Sequence, residues 1–335
     1  MRDTASWIFI GSECWQEVDQ VFASPHALKR QGVLGINKRN ADYVLRYNTR
    51  RLYPLVDDKL RTKELAQRNG INVPELYGII EVEGQVRGLP LIVNDYSEFV
   101  IKPAHGSGGA GILVISGRIN GKFRELDGSL ITLDEMNYHV FNILSGLYSL
   151  GGQTDKAFIE YRVKFDPIFE SISYQGVPDI RIIVFLGVPV MAMVRLPTLM
   201  SRGKANLHQG ALGAGIDMAT GTTMTAVWRN EIISEHPDTG KNLKGTTIPH
   251  WQQLLEIAAK CYELTGLGYL GVDIVLDGDK GPLLLELNVR PGLNIQIANA
   301  SGLISRLELV ERHQCGLDTL DDRISFAQAH FASGM

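Results

Sequence analysis

Short apolar segments alternate with amphipathic stretches along most of this 335-residue chain. Apolar runs or alternations over ~4–8 positions predict strands, and apolar residues spaced about three to four apart predict helices. The predicted strands are residues 78–82, 98–102, 112–116, 157–163, 180–186, 189–195, 271–277 and 282–288. The predicted helices are residues 13–30, 57–69, 134–149 and 251–265. This mixture predicts an α+β fold.

Two stretches have weak periodicity, residues 198–221 and 229–249. Both are rich in Gly, Asn, Thr and Pro. Long segments without regular structure inside a compact domain often carry function. We therefore predict two long functional loops.

The composition is that of a globular protein, with 44% hydrophobic residues and a formal charge of -4. A chain of this length is expected to form two or three closely joined lobes. Its three cysteines, Cys14, Cys261 and Cys315, show neither a CxxC pair nor zinc-ligand spacing. No segment has the length and character of a secretory signal or a membrane span. We therefore expect a cytoplasmic protein that does not insert into a membrane.

Residues 29–68 are strongly basic, with eleven Lys or Arg against four acids. Tyr43, Tyr47 and Tyr53 interleave with the arginines, a pattern found in nucleic-acid patches. The alternative is a helical segment whose tyrosines pack inward and whose arginines are solvated. We favour the second interpretation, so nucleic acid is not an expected partner.

A glycine-rich segment, FVIKPAHGSGGAGILVI, occupies residues 99–115. Its two apolar ends predict paired strands, and HGSGGAG predicts a flexible hairpin tip between them. Glycine lets backbone amides approach an anion closely, and Lys102 adds a positive charge beside them. The segment therefore predicts a flap over a phosphate, although a plain turn would show the same glycines.

A second hairpin is predicted in GVDIVLDGDKGPLLLELNVRPGL, residues 271–293. A turn centred on Asp279 and Lys280 places Asp273 opposite Glu286. The predicted core face consists of Ile274, Leu276, Leu283, Leu285 and Leu287. The other face carries Asp273, Glu286 and Asn288, whose oxygens suit Mg²⁺, or Mn²⁺, bridging ATP phosphates. A polar side facing solvent is the alternative.

Five segments in this order resemble the ATP-grasp superfamily of carboxylate–amine ligases. They are DKLRTKELAQRNGINVP, FVIKPAHGSGGAGI, AFIEYRV, DIRIIVFLGVPVMAMVR and the hairpin just described. The DIR motif and NLHQGALG are most similar to RimK-type alpha-L-glutamate ligases. Residues 35–59 resemble a group called alpha-L-glutamate ligase-like proteins.

The resemblance implies an ATP-grasp fold, in which two α/β lobes clasp ATP. Residues 1–56 form a reduced, mainly helical N-terminal segment that is basic toward its end. Residues 57–165 form the small lobe with the glycine flap, and residues 166–335 the large lobe with the metal site and a helical C-terminal end. Family members carry a full α/β domain before the first motif. The surface for the substrate is therefore reduced, supplied by the basic segment, or completed by another subunit of a homo-oligomer.

The resemblance also assigns roles to individual residues. ATP phosphates would contact Lys63, for which Lys59 one turn away is the alternative, and Lys102. They would also contact the flap residues His105, Gly106, Ser107, Gly108, Gly109 and Gly111. Adenine and ribose would lie against Glu160, Tyr161 and Val163. The catalytic candidates are Arg181, Arg195, Asn206, His208 and Arg290, of which the first two have cross-strand pairing with acids as an alternative role.

The implied reaction is an ATP-dependent ligation through an acyl phosphate that forms a peptide or isopeptide bond. Glutamate or another amino acid is the expected substrate, and a peptide or a protein C-terminus is an alternative. Two other functions remain open. One is phosphoryl transfer to a hydroxyl group, and the other is nucleotide binding for regulation without turnover.

Overall fold

Two antiparallel sheets form the framework of the protein, for which the computed structural model describes residues 24–106, 108–170 and 172–333. The six-stranded sheet has the order β1-β6-β2-β3-β4-β5, and its strands are β1 Leu76–Ile80, β2 Phe99–Pro103, β3 Leu113–Ile119, β4 Lys122–Glu125, β5 Leu130–Ile131 and β6 Ala157–Glu160. The seven-stranded sheet has the order β11-β10-β9-β8-β7-β12-β13, and its strands are β7 Asp179–Phe185, β8 Val188–Leu196, β9 Leu212–Ile216, β10 Thr223–Trp228, β11 Glu231–Ile233, β12 Tyr269–Asp277 and β13 Gly281–Asn288.

Helices precede, connect and follow the strands. The α-helices are α1 Pro25–Arg30, α2 Ile36–Lys38, α3 Leu45–Tyr47, α4 Pro54–Asp57, α5 Lys59–Arg68, α6 Leu89–Val93, α7 Leu133–Leu144, α8 Trp251–Thr265, α9 Ile295–Ala298, α10 Ile304–His313 and α11 Leu320–His330. One π-helical segment, Arg39–Val44, joins α2 to α3, and short 3-10 turns lie at Arg50–Leu52, Glu83–Gly88, Leu150–Gly152, Pro167–Phe169 and Leu207–Gln209. Of the helix predicted over 13–30, residues 13–23 lie outside the described residues. Within the described part of the chain, no helix has the length and apolar character needed to cross a bilayer.

Each sheet has its own hydrophobic core. The six-stranded sheet packs against α7, whose Met136 and Val140 are fully buried against Phe99 and Ile101. A capping box between Thr132 and Glu135 fixes the first turn of this helix. The seven-stranded sheet packs against α8, which buries two adjacent pairs of residues one turn apart. These pairs are Leu254 with Leu255 and Ala258 with Ala259.

The basic N-terminal segment packs on the core of the seven-stranded sheet. Tyr43 is buried, and its ring lies edge-on to Phe185 with 5.5 Å between centroids. Tyr47 contacts the same phenylalanine at 4.9 Å. The tyrosines therefore face inward, as the favoured interpretation of this segment predicted.

The hairpin of β12 and β13 confirms the predicted pairing of Asp273 with Glu286. The predicted turn was misplaced by half a residue, because Asp277 pairs with Gly281 and the turn is therefore centred on Asp279 alone. A β-bulge at Leu285 then shifts the pairing by one residue, so that Asp273 lies opposite Glu286. The bulge also makes the predicted core face partly wrong. Leu283 and Leu285 pack with Val275 on the opposite face, and Leu284 takes the predicted place in the core.

The two predicted loops are only partly irregular. Residues 198–221 contain β9, and residues 229–249 contain β11, with β10 between the two stretches. The sequence of β9, LGAGI, shows no clear alternation of apolar and polar positions, because it carries two glycines and an alanine instead of larger apolar residues. The helix predicted over 134–149 ends at Leu144, because Gly146 has a φ of 83°, which a helix cannot continue through. A larger residue does not fit at this position, since a Cβ there would lie 2.2 Å from the Gln153 carbonyl oxygen.

Candidate functional site

A cavity of about 700 Å³ lies between the two sheets. This volume is in the range of small-molecule sites in proteins, ~300–1,000 Å³. One wall is apolar and comes from both sheets. It consists of Val100, Ile112, Val114, Phe158, Val163, Val275 and Leu285. Because such a wall offers dispersion contacts and few hydrogen bonds, it suits a flat, weakly polar group such as a nucleobase.

A buried cluster of one carboxylate and two ammonium groups borders the apolar wall. Lys63 Nζ of α5 lies 2.6 Å from Glu160 Oε2, and Lys102 Nζ of β2 lies 2.5 Å from Glu160 Oε1. Lys63 also donates to the Pro74 carbonyl oxygen at 2.7 Å. Burial would raise the pKa of Glu160, but Lys102 and Lys63 outweigh it and hold the pKa below its ordinary value. The cluster carries one net positive charge and can attract an anion.

A second charged network joins β7, β8 and β12, and its Asp179, Arg181 and Arg195 line the cavity. Arg181 binds both carboxylate oxygens of Asp273, at 2.7 and 2.5 Å. Arg195 Nη2 lies 2.8 Å from Asp273 Oδ2 and also pairs with both oxygens of Asp179. Burial opposes ionisation of Asp273, yet the two arginines lower its pKa. The pKa of Asp179 is raised to about 6, because burial outweighs Arg195 and Asp273 adds a like charge.

The predicted metal ligands do not all reach the cavity. Glu286 and Asn288 line it, and their oxygens suit a hard divalent cation. The Asp273 side chain is fully buried, and both of its oxygens accept from guanidinium groups. The Asn288 amide group donates to Asp273 Oδ2 at 3.2 Å. Glu286 and Asn288 therefore fit a metal ion directly, whereas Asp273 fits one only if an arginine contact is exchanged.

The glycine flap connects β2 to β3, and Ser107 lies outside the described residues. At its base, Asp155 accepts from the His105 backbone amide at 3.0 Å and lies 2.8 Å from His105 Nδ1. At its tip, the Gly108 carbonyl oxygen accepts from Asn206 Nδ2 at 3.1 Å and from Gln209 Nε2 at 2.8 Å. The flap is thus fixed at its base to the loop before β6 and at its tip to the loop before β9.

Lys59 ties the flap to the hairpin of β12 and β13. Its Nζ donates to the Gly106 carbonyl oxygen at 2.5 Å and lies 3.8 Å from Glu286 Oε2. Lys59 and Lys63 both line the cavity. The sequence offered Lys59 as the alternative to Lys63 for contact with the ATP phosphates, and the structure has both lysines at the cavity.

Most of the sequence-predicted site residues meet at this cavity. It is lined by Lys63, Lys102, Gly108, Gly109, Glu160, Tyr161, Val163, Arg181, Arg195, Asn206, His208, Glu286, Asn288 and Arg290. Among the described residues, His105, Gly106, Gly111 and Asp273 are in neighbouring positions and do not line it.

Sequence reasoning missed several residues of the site. Lys204 lines the cavity beneath the flap, and its Cδ lies 3.7 Å from where a Cβ of Gly109 would be. Asp179 was part of the DIR motif, so its pairing with Arg195 could have been predicted from the strand pairing. Asp155 and Gln209 carried no sequence signal, because their contacts span about 50 and 100 residues of chain.

The family model described as sugar-transfer associated ATP-grasp matches residues 38–312. The chain belongs to this ATP-grasp family. The predicted α+β ATP-grasp fold is therefore confirmed. No curated protein matches the chain by sequence.

Solved structures of several enzymes are similar to the chain at low identity. The ATP-grasp ligase PsnB in complex with a minimal precursor is 15% identical with a TM-score of 0.41, and the match covers 83% of this chain and 62% of that one. D-cycloserine synthetase DcsG is 17% identical with a TM-score of 0.43, covering 78% and 71%. D-alanine–D-alanine ligase from Bacillus anthracis is 15% identical with a TM-score of 0.41, covering 83% and 69%. The chain thus spans less than two thirds of the length of PsnB.

Proposed function

We propose that this protein is an ATP-dependent carboxylate–amine ligase, with glutamate or another amino acid as one substrate. The observation that carries the proposal is the cavity between the sheets. It brings together an apolar wall, the cluster of Lys63, Lys102 and Glu160, and the oxygens of Glu286 and Asn288. Membership in an ATP-grasp family supports the assignment of ATP to this cavity.

ATP would bind with its adenine against the apolar wall, beside the chain from Glu160 to Val163. Its phosphates would lie beside Lys102 and Lys63 and beneath the flap, whose glycines let backbone amides approach them. Lys59 and Lys204 add positive charge on either side of the flap. In this arrangement the terminal phosphate would lie near Glu286 and Asn288.

Glu286 and Asn288 would hold Mg²⁺, or Mn²⁺, with Asp273 below them. When bound, this ion neutralises charge on the ATP phosphates during transfer. Arg181 and Arg195 are held in place by buried aspartates, so their guanidinium groups are oriented before the reaction begins.

The proposed reaction has two steps. The substrate carboxylate attacks the γ-phosphorus, the bond to the β-phosphate oxygen breaks, and ADP leaves. An amine then attacks the acyl carbon, phosphate leaves, and the amine nitrogen loses a proton. The flap and the loop with Asn206 and His208 would exclude water, which otherwise hydrolyses the acyl phosphate. His208 lines the cavity and is the candidate to accept that proton.

Three finer assignments belong to the same proposal. The loop NLHQGALG and the DIR motif support a RimK-type relationship. We also propose the division into residues 1–56, 57–165 and 166–335, and an amino acid, a peptide or a protein C-terminus as substrate. Because Tyr43 and Tyr47 pack inward, nucleic acid is not part of the proposal.

ADP release from Mg-ATP across a panel of amino acids and short peptides tests the proposal. We expect turnover that needs both a carboxylate and an amine and falls at least about 100-fold in Glu286→Ala, since one electrostatic contact to a transition state contributes ~10²–10³ in rate. The matched control is Glu83→Ala, because Glu83 is exposed and does not line the cavity. Turnover with a hydroxyl acceptor and no amine would instead establish a phosphotransferase. Binding of ATP without turnover on the whole panel would favour a regulatory role.

A further inference from the structure

Arg290 lines the cavity two residues beyond the end of β13, at the opposite end of this chain segment from Leu285 of the apolar wall. The lining residues follow the segment in the order Leu285, Glu286, Asn288 and Arg290. If adenine lies against Leu285 and the ATP phosphates lie near Glu286 and Asn288, Arg290 lies beyond the phosphates. This end is where the substrate must lie, because the group that receives the phosphoryl must approach from the side opposite ADP.

Arg290 differs from the other arginines of the cavity in its pairing. Arg181 and Arg195 bind aspartates, and Arg162 binds Glu98 at 2.7 Å. Among the described residues, no carboxylate lies within 4.0 Å of Arg290, whose guanidinium instead faces the Tyr53 ring at 5.8 Å.

Two lysines of the cavity, Lys164 and Lys204, also have no ion pair within the described ranges. Lys164 follows the segment of Glu160 to Val163 on the adenine side, and Lys204 lies beneath the flap at Gly109. Arg290 is therefore the cation available at the substrate end.

A second arginine fixes the loop that carries Arg290. Arg39, from the N-terminal segment, is buried and donates to the Pro291 carbonyl oxygen at 2.8 Å. Its other hydrogen bonds go to Asn40, so within the described chain its guanidinium has neutral acceptors only. Burial lowers the pKa of Arg39, Tyr269 opposes this, and Arg290 lowers it further.

One acid that interacts electrostatically with Arg290 is Asp57. Burial raises the pKa of Asp57, and Arg290, His105 and Lys59 oppose this, so the carboxylate is within electrostatic range of Arg290. One carboxylate, Asp57, against the two guanidinium groups of Arg39 and Arg290 leaves a net positive charge. Holding two like charges close together costs free energy, and an anion bound at Arg290 would offset that cost.

We propose that Arg290 binds a second, non-reacting carboxylate of the substrate and that Arg39 is the positioning residue for its loop. This inference rests on the proposed function. A guanidinium group suits a carboxylate because two parallel N–H donors match its two oxygens. The substrate class is therefore an amino acid with two carboxylates, and the basic N-terminal segment supplies part of the substrate surface.

Calorimetric titration of the protein saturated with Mg-ADP tests the inference, with L-glutamate as the probe. We expect Arg290→Gln to weaken glutamate binding ten- to a hundredfold, since a charge-assisted pair contributes ~1.5–3 kcal/mol. Arg290→Lys should keep part of the affinity. Arg229→Gln is the matched control, because Arg229 is exposed and faces the Trp228 ring at the same 5.8 Å. The affinity for Mg-ADP should change less than twofold in all three variants.

Two analogues identify which carboxylate Arg290 binds. L-glutamine lacks the side-chain carboxylate and L-isoglutamine lacks the α-carboxylate, so the analogue whose binding no longer depends on Arg290 lacks the bound group. Arg39→Lys should weaken glutamate binding, and Arg39→Met should weaken it more. Both variants should leave Mg-ADP binding unchanged, which a general loss of folding would not do.

Equal glutamate affinity in wild type and Arg290→Gln would overturn the inference. So would a wild type that binds Mg-ADP and no glutamate, and in both cases the proposed nucleotide site would stand. Failure of the wild type to bind Mg-ADP would instead contradict the proposed function.

Discussion

Glu160 joins two lysines that come from different elements of the fold. Lys63 is on α5 and Lys102 on β2, and both ammonium groups lie within 2.6 Å of its carboxylate. The carboxylate and Lys63 are almost fully buried, so neither charge can be satisfied by water. Burial lowers the pKa of Lys63, and Glu160 opposes this shift. The charge of each group therefore depends on the others.

Glu160→Gln is expected to destabilise the protein by about 3–5 kcal/mol at neutral pH, because it leaves a buried ammonium group without a counter-charge. Urea unfolding would measure the change. The matched control is Glu98→Gln, which breaks the partly exposed pair with Arg162 and should cost less than about 1 kcal/mol. Similar losses in the two variants would show that the buried cluster contributes no more than a surface pair.

The stabilising effect of Glu160 should also depend on pH. Its folded-state pKa lies below the ordinary value of 4.5, so the unfolded chain takes up protons first as the pH falls. The contribution is therefore complete above pH 4.5 and is lost as the pH falls through the lowered pKa. Urea unfolding should be measured at a series of pH values from neutral to acid. The difference in unfolding free energy between wild type and Glu160→Gln should shrink below pH 4.5. A difference that grows on acidification would contradict this sign.

Residue types were easier to predict from the sequence than their contacts. The order of motifs led to Lys102 and Glu160, and strand periodicity led to the pairing of Asp273 with Glu286. Cross-strand pairing of Arg181 and Arg195 with acids was the stated alternative, but their shared partner Asp273 was not identified, because it lies on β12 beside β7 and β8. The polar face of a hairpin therefore indicated a metal site without showing which oxygens remain free.

At the scale of elements, hydrogen bonds join the flap to the loop before β9 at the cavity. The Gly108 carbonyl oxygen accepts from both Asn206 and Gln209, although the donors lie about 100 residues further along the chain. Gly111 at the other end has a φ of 74°, and a Cβ there would lie 2.5 Å from the Tyr148 ring. The flap is thus shaped by its glycines and held closed by side-chain amides.

Gln209→Ala should loosen the flap by removing one of these two hydrogen bonds. A typical hydrogen bond contributes ~1 kcal/mol, so we expect amide hydrogen exchange in residues 108–111 to become about fivefold faster. Gln252→Ala is the matched control, because it removes an exposed hydrogen bond between the side chains of Gln252 on α8 and Gln328 on α11. Unchanged flap exchange in Gln209→Ala, and in its double variant with Asn206→Ala, would mean that the contact does not hold the flap.

Elements with strong periodicity were predicted well, and elements with small residues were not. The helix over 251–265 has its predicted bounds, because its apolar stripe continues for four turns. Strand β9 was predicted as loop, since LGAGI offers too little contrast between its faces. The bulge at Leu285 was also beyond prediction, because a run of three leucines fits either register.

At the scale of the whole molecule, the N-terminal segment is part of the core of the seven-stranded sheet. Leu34, Tyr43, Val44 and Val56 are all buried in that core. The Asn48 side chain exchanges two hydrogen bonds with the Tyr269 backbone on β12, at 2.7 and 2.8 Å. The segment therefore packs as part of the same core as the sheet, and it also carries Arg39 to Pro291 at the cavity.

Tyr43→Ala should therefore destabilise the whole protein rather than the segment alone. Removing a buried aromatic side chain costs about 3–5 kcal/mol, whereas the exposed Tyr138→Ala should change stability by less than about 0.5 kcal/mol. We expect tryptophan fluorescence and far-ultraviolet circular dichroism to report the same shifted urea transition. If the segment were an independent attachment, Tyr43→Ala would instead produce an early transition of small amplitude and leave the main one in place. A single shifted transition would mean that the N-terminal segment, the proposed part of the substrate surface, folds together with the sheet that carries the proposed metal ligands.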